Sequence, residues 1–194
     1  MTRRVGVMGG TFDPVHLGHL VCASEVAYRL ELAEVVFVPT GLPWQKAARP
    51  VSPAEDRYAM TLLATEHDPR FSVSRVEIDR EGPTYSVDTL RALAAGGDDL
   101  FFVLGADALA GVPTWREPEA LFALAHLVGV TRPGYLVDVT AFPAGAVTLV
   151  DTPALEVSAS DVRSRVERGA PIRYLVPDAV ADYIASHGLY AGTA

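Results

Sequence analysis

Residues 5–20 read VGVMGGTFDPVHLGHL, and three patterns follow one another within them. Val5 to Met8 is a short apolar run rich in β-formers, Gly9-Gly10 and Asp13-Pro14 are turn signals, and Leu17, Leu20, Val21, Ser24 and Tyr28 recur at helical spacing. The stretch therefore reads as strand, loop and helix. Gly9 and Gly10, having no Cβ, let the backbone approach a ligand and adopt positive φ. His16 and His19 fall in the first helical turn, about 60° apart around an axis of 3.6 residues per turn. Gly18 between them removes bulk on the side from which a ligand would approach. A helix start carries free amides and about half a positive charge, which suits an anion, and two imidazoles would add donors for phosphate oxygens. Three plainer readings stand beside this one: histidines satisfied locally, glycines that only permit a turn, and a metal-binding pair. For the last, no third His or Cys follows at a familiar zinc spacing.

Working outward, VVFVP (35–39) is a continuous apolar run, as expected of a strand buried on both faces of a parallel sheet. A loop rich in Pro, Gly and basic residues continues to Pro50, and Ser52-Pro53-Ala54-Glu55 has the form of a capping box opening a helix. FSVSRV (71–76) alternates like a strand, SVDTLRALAAG (86–96) is a helix stopped by Gly96, and LFFVLG (100–105) is a second fully apolar strand. A helix around 117–125, strands HLVGVT (126–131) and VTLVD (147–151), and helices near 160–168 and 177–187 complete the pattern. This alternation predicts an α/β, Rossmann-like doubly wound parallel sheet with ligands beyond the carboxyl ends of its strands. Residues 132–146, containing Pro and Gly, are the expected irregular connection. The length fits a single domain over 1–194 with a small C-terminal helical part from about 157.

The chain carries a formal charge of −8 with its basic residues scattered, which argues against a nucleic-acid surface. Its single cysteine, Cys22, sits in an apolar helical pattern and reads as a small buried side chain. No apolar run is long enough for a membrane span, and MTRRVGVMGG lacks a signal peptide's apolar stretch, so a cytoplasmic location is expected. Lys46 is the only lysine beside fifteen arginines, which hints at a place needing a compact point charge. Arg49 and Arg57 read as surface or ion-paired cations.

GGTFDPVHLGHL (9–20) resembles the signature of the nucleotidyltransferase superfamily, whose members carry a (T/H)-x-G-H motif on a Rossmann-like sheet. VSASDVRSRV (157–166) resembles that superfamily's second motif, usually written I-S-S-T-x-I-R. GPTYSVDTL (82–90), VLGADAL (103–109), PTW (113–115), VTRPG (130–134) and YLVPDAVADYI (174–184) are similar to segments of the bacterial nicotinate mononucleotide adenylyltransferases, and the likeness covers nearly the whole chain. Two departures stand out. Pro43-Trp44-Gln45-Lys46 replaces the common Pro-Pro-His-Lys, and Ala159 and Ser160 replace Ser and Thr in the second motif.

The resemblance implies transfer of AMP from ATP to nicotinate mononucleotide, with Mg²⁺ carried by the ATP phosphates and no metal held by the protein. It implies His16, His19, Lys46 and Arg163 as the catalytic set, His19 at the α-phosphate. Gly9, Gly10, Thr11, Phe12, Gly18, Gly105, Asp107, Arg132 and Ser160 would form the ATP site. Asp107 would accept from ribose hydroxyls or else cap the short helix after it, and Ser160 would cap its helix or donate to a phosphate. Thr84 and Tyr85 would flank the nicotinate carboxylate, and Trp115 would stack on the pyridine ring or simply pack. Acceptors such as nicotinamide mononucleotide or phosphopantetheine, cytidylyl transfer, and a nucleotide-sensing module without catalysis remain as rivals. A homo-oligomer is possible on sequence grounds alone.

Overall fold

The computed structural model describes residues 2–42, 51–131, 137–153 and 155–192. Its strands are β1 (Arg4–Gly10), β2 (Glu34–Pro39), β3 (Phe71–Val73), β4 (Asp99–Gly105), β5 (His126–Thr131) and β6 (Val147–Asp151). Between and after them run α1 (Leu17–Arg29), α2 (Ala54–Thr65), α3 (Ser86–Ala94), α4 (Ala106–Gly111), α5 (Pro118–Leu124), α6 (Ala159–Glu167) and α7 (Asp178–Ser186). The strands form one parallel sheet in the order β3-β2-β1-β4-β5-β6.

Alternate residues of the central strands feed two cores. Met8, Phe101 and Val103 point into a layer with Val26 of α1, Met60 of α2, Val162 of α6 and Ile184 of α7. Val5, Val7, Phe102 and Leu104 point the other way, onto Leu90 of α3, Leu109 of α4 and Leu121 of α5. The doubly wound expectation therefore holds, and continuous apolar strands are its cause, because both faces are covered. The chain reverses its direction of winding between β1 and β4, which opens a crevice beyond their carboxyl ends. Among the described residues no helix is long and apolar enough to cross a membrane.

Local details depart from the sequence pattern where a distant partner intervenes. The strand expected over 71–76 ends at Val73, because Ser74 Oγ accepts from the Val76 amide and bends the chain. The capping box at Ser52 does not form: Pro53 is the N-cap of α2, and Glu55 instead receives two hydrogen bonds from Arg75, at 2.9 and 2.7 Å. Gly97, not Gly96, takes the left-handed conformation after α3, at φ 79°.

Arg57 is the largest departure. Expected at the surface or in an ion pair, it is 1 % exposed, and its guanidinium donates to three backbone carbonyls. Nε reaches Ser52 O at 2.9 Å, Nη1 reaches Thr11 O at 2.9 Å, and Nη2 reaches Gly41 O at 3.0 Å. Burial pulls its pKa down, and Asp13, Tyr190 and Glu77 act in the opposite sense. Beside it the Tyr190 hydroxyl donates to Asp13 Oδ1 at 2.7 Å, tying the end of the chain to its first loop. Arg57→Leu strands three carbonyls and leaves Asp13 without its nearby cation. It should cost about 3–5 kcal/mol, read as a fall in Tm of roughly 10 °C or more by calorimetry. Tyr190→Phe removes one hydrogen bond and should cost about 1–3 kcal/mol. A cost below about 1 kcal/mol for Arg57→Leu would show that the guanidinium does not brace these loops.

Candidate active site

Gly9 and Gly10 are the last residues of β1 and lie at the crevice. Neither takes positive φ; that conformation falls to Phe12, at φ 50°, whose side chain is buried. A Cβ on Gly10 would come within 2.9 Å of the Phe12 ring, so this glycine makes room for Phe12 as well as for the cavity. A Cβ on Gly9 would meet only Phe102, at 3.9 Å, so Gly9 keeps its open approach to the crevice.

His16 is the N-cap of α1, with φ −143°, and His19 is the third helical residue. Their rings stack with centroids 3.7 Å apart at 26°, closer than a separation of about 60° on the helix suggests. The His16 backbone N–H donates to His19 Nδ1 at 3.2 Å, which places the proton of a neutral His19 on Nε2 and makes that nitrogen a donor. Phe12 meets the His19 ring edge-on at 5.1 Å. His16 is 8 % exposed, and burial lowers its pKa to about 4, so its ring is neutral near pH 7. A Cβ on Gly18 would lie 3.0 Å from His16 Nδ1, so this glycine clears space for the histidine. The amides of the first turn are less available than the sequence suggests. Leu17 N–H donates to Leu175 O and His19 N–H to His16 O, both at 2.9 Å. That leaves the Gly18 amide and the side chains to supply donors here.

The second motif meets the first across 150 residues. Arg163 Nη1 donates to the Asp13 carbonyl at 2.6 Å, which holds the guanidinium beside the Thr11–Asp13 loop. The cap of α6 is Ser158, whose Oγ accepts from the Asp161 amide at 3.1 Å. Ser160 is instead an exposed residue of the first turn. Gly105 ends β4 and is the N-cap of α4; Asp107, exposed in that helix's first turn, makes no capping hydrogen bond, so its alternative role is not the one adopted. Gln45, Lys46, Arg49 and Arg132 lie outside the described residues. Cys22 is partly buried, and desolvation pushes its thiol up to about 12, in keeping with an inert packing role.

The remaining predicted residues come together in a cavity of about 540 Å³ beside β1 and β4. Thr84, Tyr85 and Trp115 line it along with Gly9, Gly10 and Thr11. Trp115 stands edge-on to Phe102 at 6.4 Å. Thr84 Oγ1 is buried without a hydrogen bond of good geometry, close to the Glu77 carboxyl. Two charged lining residues are not among the candidates the sequence offers. Glu77 is 8 % exposed and accepts from Thr89 Oγ1 at 2.7 Å; burial raises its pKa, with Thr89, Thr84, Arg80 and Arg57 acting against that. Arg116 lies with its guanidinium carbon 4.6 Å over the Tyr85 ring. The one local signal for Arg116 was its place next to Trp115, whereas Glu77 reaches the cavity through contacts no sequence spacing reveals. Among the described residues, no group of three or more His, Cys, Asp or Glu side chains is placed to hold a metal ion.

The depressed pKa of His16 gives a stability signature. The folded state resists protonation that the unfolded state accepts below pH 6.5, so this contribution is full above 6.5 and is lost as pH falls toward about 4. Over that window His16 should withdraw up to about 3 kcal/mol. Urea unfolding at pH 7 and pH 4.5 should show a smaller pH-dependent loss in His16→Asn than in wild type. Equal losses would mean that His16 titrates normally.

The Cytidylyltransferase-like family profile matches residues 7–165. A protein of Streptomyces coelicolor named "Probable nicotinate-nucleotide adenylyltransferase" is 60 % identical over 187 residues, covering 95 % of this chain and 100 % of that one. A protein of the same name from Frankia casuarinae is 62 % identical, covering 95 % and 99 %. The solved structure of Plasmodium falciparum nicotinic acid mononucleotide adenylyltransferase complexed with NaAD matches 97 % of each chain with a TM-score of 0.80 at 18 % identity, a likeness of fold. Identity near 60 % over almost the full length of these relatives, on a sheet whose switch point carries the paired histidines, makes the chain a member of the Cytidylyltransferase-like family and, within it, of the nicotinate-nucleotide adenylyltransferases.

Proposed function

We propose that the protein transfers the adenylyl group of ATP to nicotinate mononucleotide, giving nicotinate adenine dinucleotide and pyrophosphate. The observation that carries this reading is the placement of Thr84, Tyr85 and Trp115 in one cavity with Gly9, Gly10 and Thr11, the loop that leads directly into the two histidines. An acceptor seated there has its phosphate toward the start of α1. One oxygen of that phosphate attacks the α-phosphorus of ATP in line; a new P–O bond forms, the bond to the β-phosphate bridge breaks, and pyrophosphate leaves. The protein supplies no nucleophile, so its contribution is alignment and stabilisation of charge.

His19 Nε2–H donates to an α-phosphate oxygen, held in that tautomer by the His16 amide. His16 stays neutral and supports the His19 ring by stacking. Arg163, with Nη1 fixed by Asp13, turns its remaining donors to the triphosphate. Lys46, Arg132 and Ser160 add phosphate contacts, and Gly105 and Asp107 take the ribose. Mg²⁺ would come with ATP and would help offset the charge of its phosphates. We read the chain as one nucleotidyltransferase domain acting in the cytoplasm. What supports the single domain is that Leu175, Tyr190 and Arg163 of its C-terminal part all bond to residues 13–17.

Pyrophosphate release with ATP, Mg²⁺ and one acceptor at a time tests the assignment: nicotinate mononucleotide should support turnover, and its failure would defeat the reading. Nicotinamide mononucleotide and phosphopantetheine are the control acceptors. His19→Ala should slow turnover by roughly a hundred- to a thousandfold at saturating ATP, as loss of one transition-state donor does. Gly18→Ala crowds His16 and should lower kcat by about ten- to a hundredfold, with Tm moving by no more than roughly 2 °C because alanine favours the helix. Normal turnover in both variants would remove the histidine pair from the chemistry.

A further inference from the structure

The charge pattern of the acceptor cavity assigns a selecting role to a residue outside both motifs: we infer that Arg116 distinguishes the acid form of the acceptor's ring from its neutral amide, an assignment that rests on the proposed acceptor. Among the described residues lining the cavity, Glu77 and Arg116 are the only acidic or basic ones. Glu77 is internal and already engaged, through the Thr89 hydroxyl and the field of Arg80 and Arg57. It can neither leave nor be neutralised by a bound carboxylate.

Arg116 is differently placed. Its side chain is 54 % exposed at the cavity wall, and its guanidinium lies over the Tyr85 ring at 4.6 Å. A cation on an aromatic face is held in one plane without surrendering its N–H donors, which point outward from the ring edge. Its carboxylate neighbour, Glu117, stands 3.6 Å from Arg116 Nε but is bonded more closely to Arg91, at 2.5 Å. Glu117 thus binds Arg91 more closely and meets Arg116 only at Nε, which leaves the Nη donors of Arg116 for the cavity. The start of α3 reinforces the sign: Tyr85 is its N-cap and Ser86 its first residue, and both line the cavity, so the positive end of a nine-residue helix faces the same space. Thr84, 8 % exposed with its hydroxyl buried, lines it too.

A pyridine ring resting on Trp115 has the next residue in the chain, Arg116, beside its substituent. A carboxylate there gains a cation and a forked donor; a carboxamide gains at most a neutral hydrogen bond. Discrimination by Arg116 should therefore appear in the ratio of affinities for the two forms, not in the affinity for either alone.

The test is titration calorimetry of nicotinate mononucleotide and nicotinamide mononucleotide against the wild-type chain, R116Q and R116K, with thermal melts to verify folding. The ratio of the two Kd values should fall by about tenfold in R116Q and be largely restored in R116K, and the wild-type preference should weaken as salt is raised. Equal weakening of both mononucleotides in R116Q would show that Arg116 grips the phosphate they share, and an unchanged ratio would show that it touches neither group; each overturns the inference. Pyrophosphate release by the wild-type chain separates the two readings. Turnover of nicotinate mononucleotide with an unchanged ratio in R116Q removes Arg116 alone, whereas absence of that turnover removes the acceptor assignment itself.

Discussion

The Arg57 guanidinium is the fixed point on which the candidate site is hung. A planar group with five donors in a fork can hold three carbonyls at once, which lysine, as a point charge, does not do with the same geometry. The three carbonyls belong to Thr11, Gly41 and Ser52, so one side chain of α2 joins the loop after β1 to both flanks of the segment between residues 42 and 51. Space around it is tight: a Cβ on Gly41 would collide with the Glu77 carbonyl. Buried charge of this kind is tolerated only with compensation. Asp13 on one side and Glu77 on the other supply it, and Tyr190 caps Asp13 from the far end of the chain.

That bracing determines how the start of α1 works. Thr11 is held by Arg57 and Asp13 by Arg163, so the loop between them enters the helix at one angle, with Phe12 in a left-handed conformation and packed on His19. The amides of Leu17 and His19 are engaged by carbonyls, so the Gly18 amide, the imidazoles and the dipole are the donors this end can offer. His16, neutral and stacked, sets the tautomer of His19 through its own N–H. The position of the His19 ring and the nitrogen that carries its proton when neutral are thereby set by backbone and packing, the kind of preorganisation on which electrostatic catalysis relies.

The sheet was legible in the sequence because its cause is local: runs such as LFFVLG are apolar on both faces, and that composition suits only a strand covered on both sides. Thr84, Tyr85 and Trp115, which the sequence singles out, share one cavity. What escaped has a common physical character. Arg57 meets Thr11 across 46 residues, Arg163 meets Asp13 across 150, and Tyr190 meets Asp13 across 177. Hydrophobic period carries no information about such pairs. The failed capping box is the same effect in miniature, since Glu55 has the correct spacing to Ser52 but Arg75, 20 residues on, offers a charged bidentate partner and wins. At Gly18 spacing shows that room is made, and only packing shows that the His16 ring stands against it.

The C-terminal helical part follows from these contacts as a component of the site. Leu175 O occupies the Leu17 amide, Val157 O lies 3.8 Å from where a Gly18 Cβ would stand, Arg163 holds Asp13 O, and Tyr190 holds the Asp13 carboxylate. Four separate points on residues 157–190 thus close on residues 13–18. Asp13 needs them most, since it is 2 % exposed and its Oδ2 has no partner among the described residues. Without Tyr190 and the nearby Arg57 charge, that carboxylate would have neither donor nor counter-ion in a dry environment, at a cost the loop could avoid only by opening to water. The geometry of the paired histidines is therefore maintained from both ends of the chain, and the first motif has its shape only because the last helices are packed upon it.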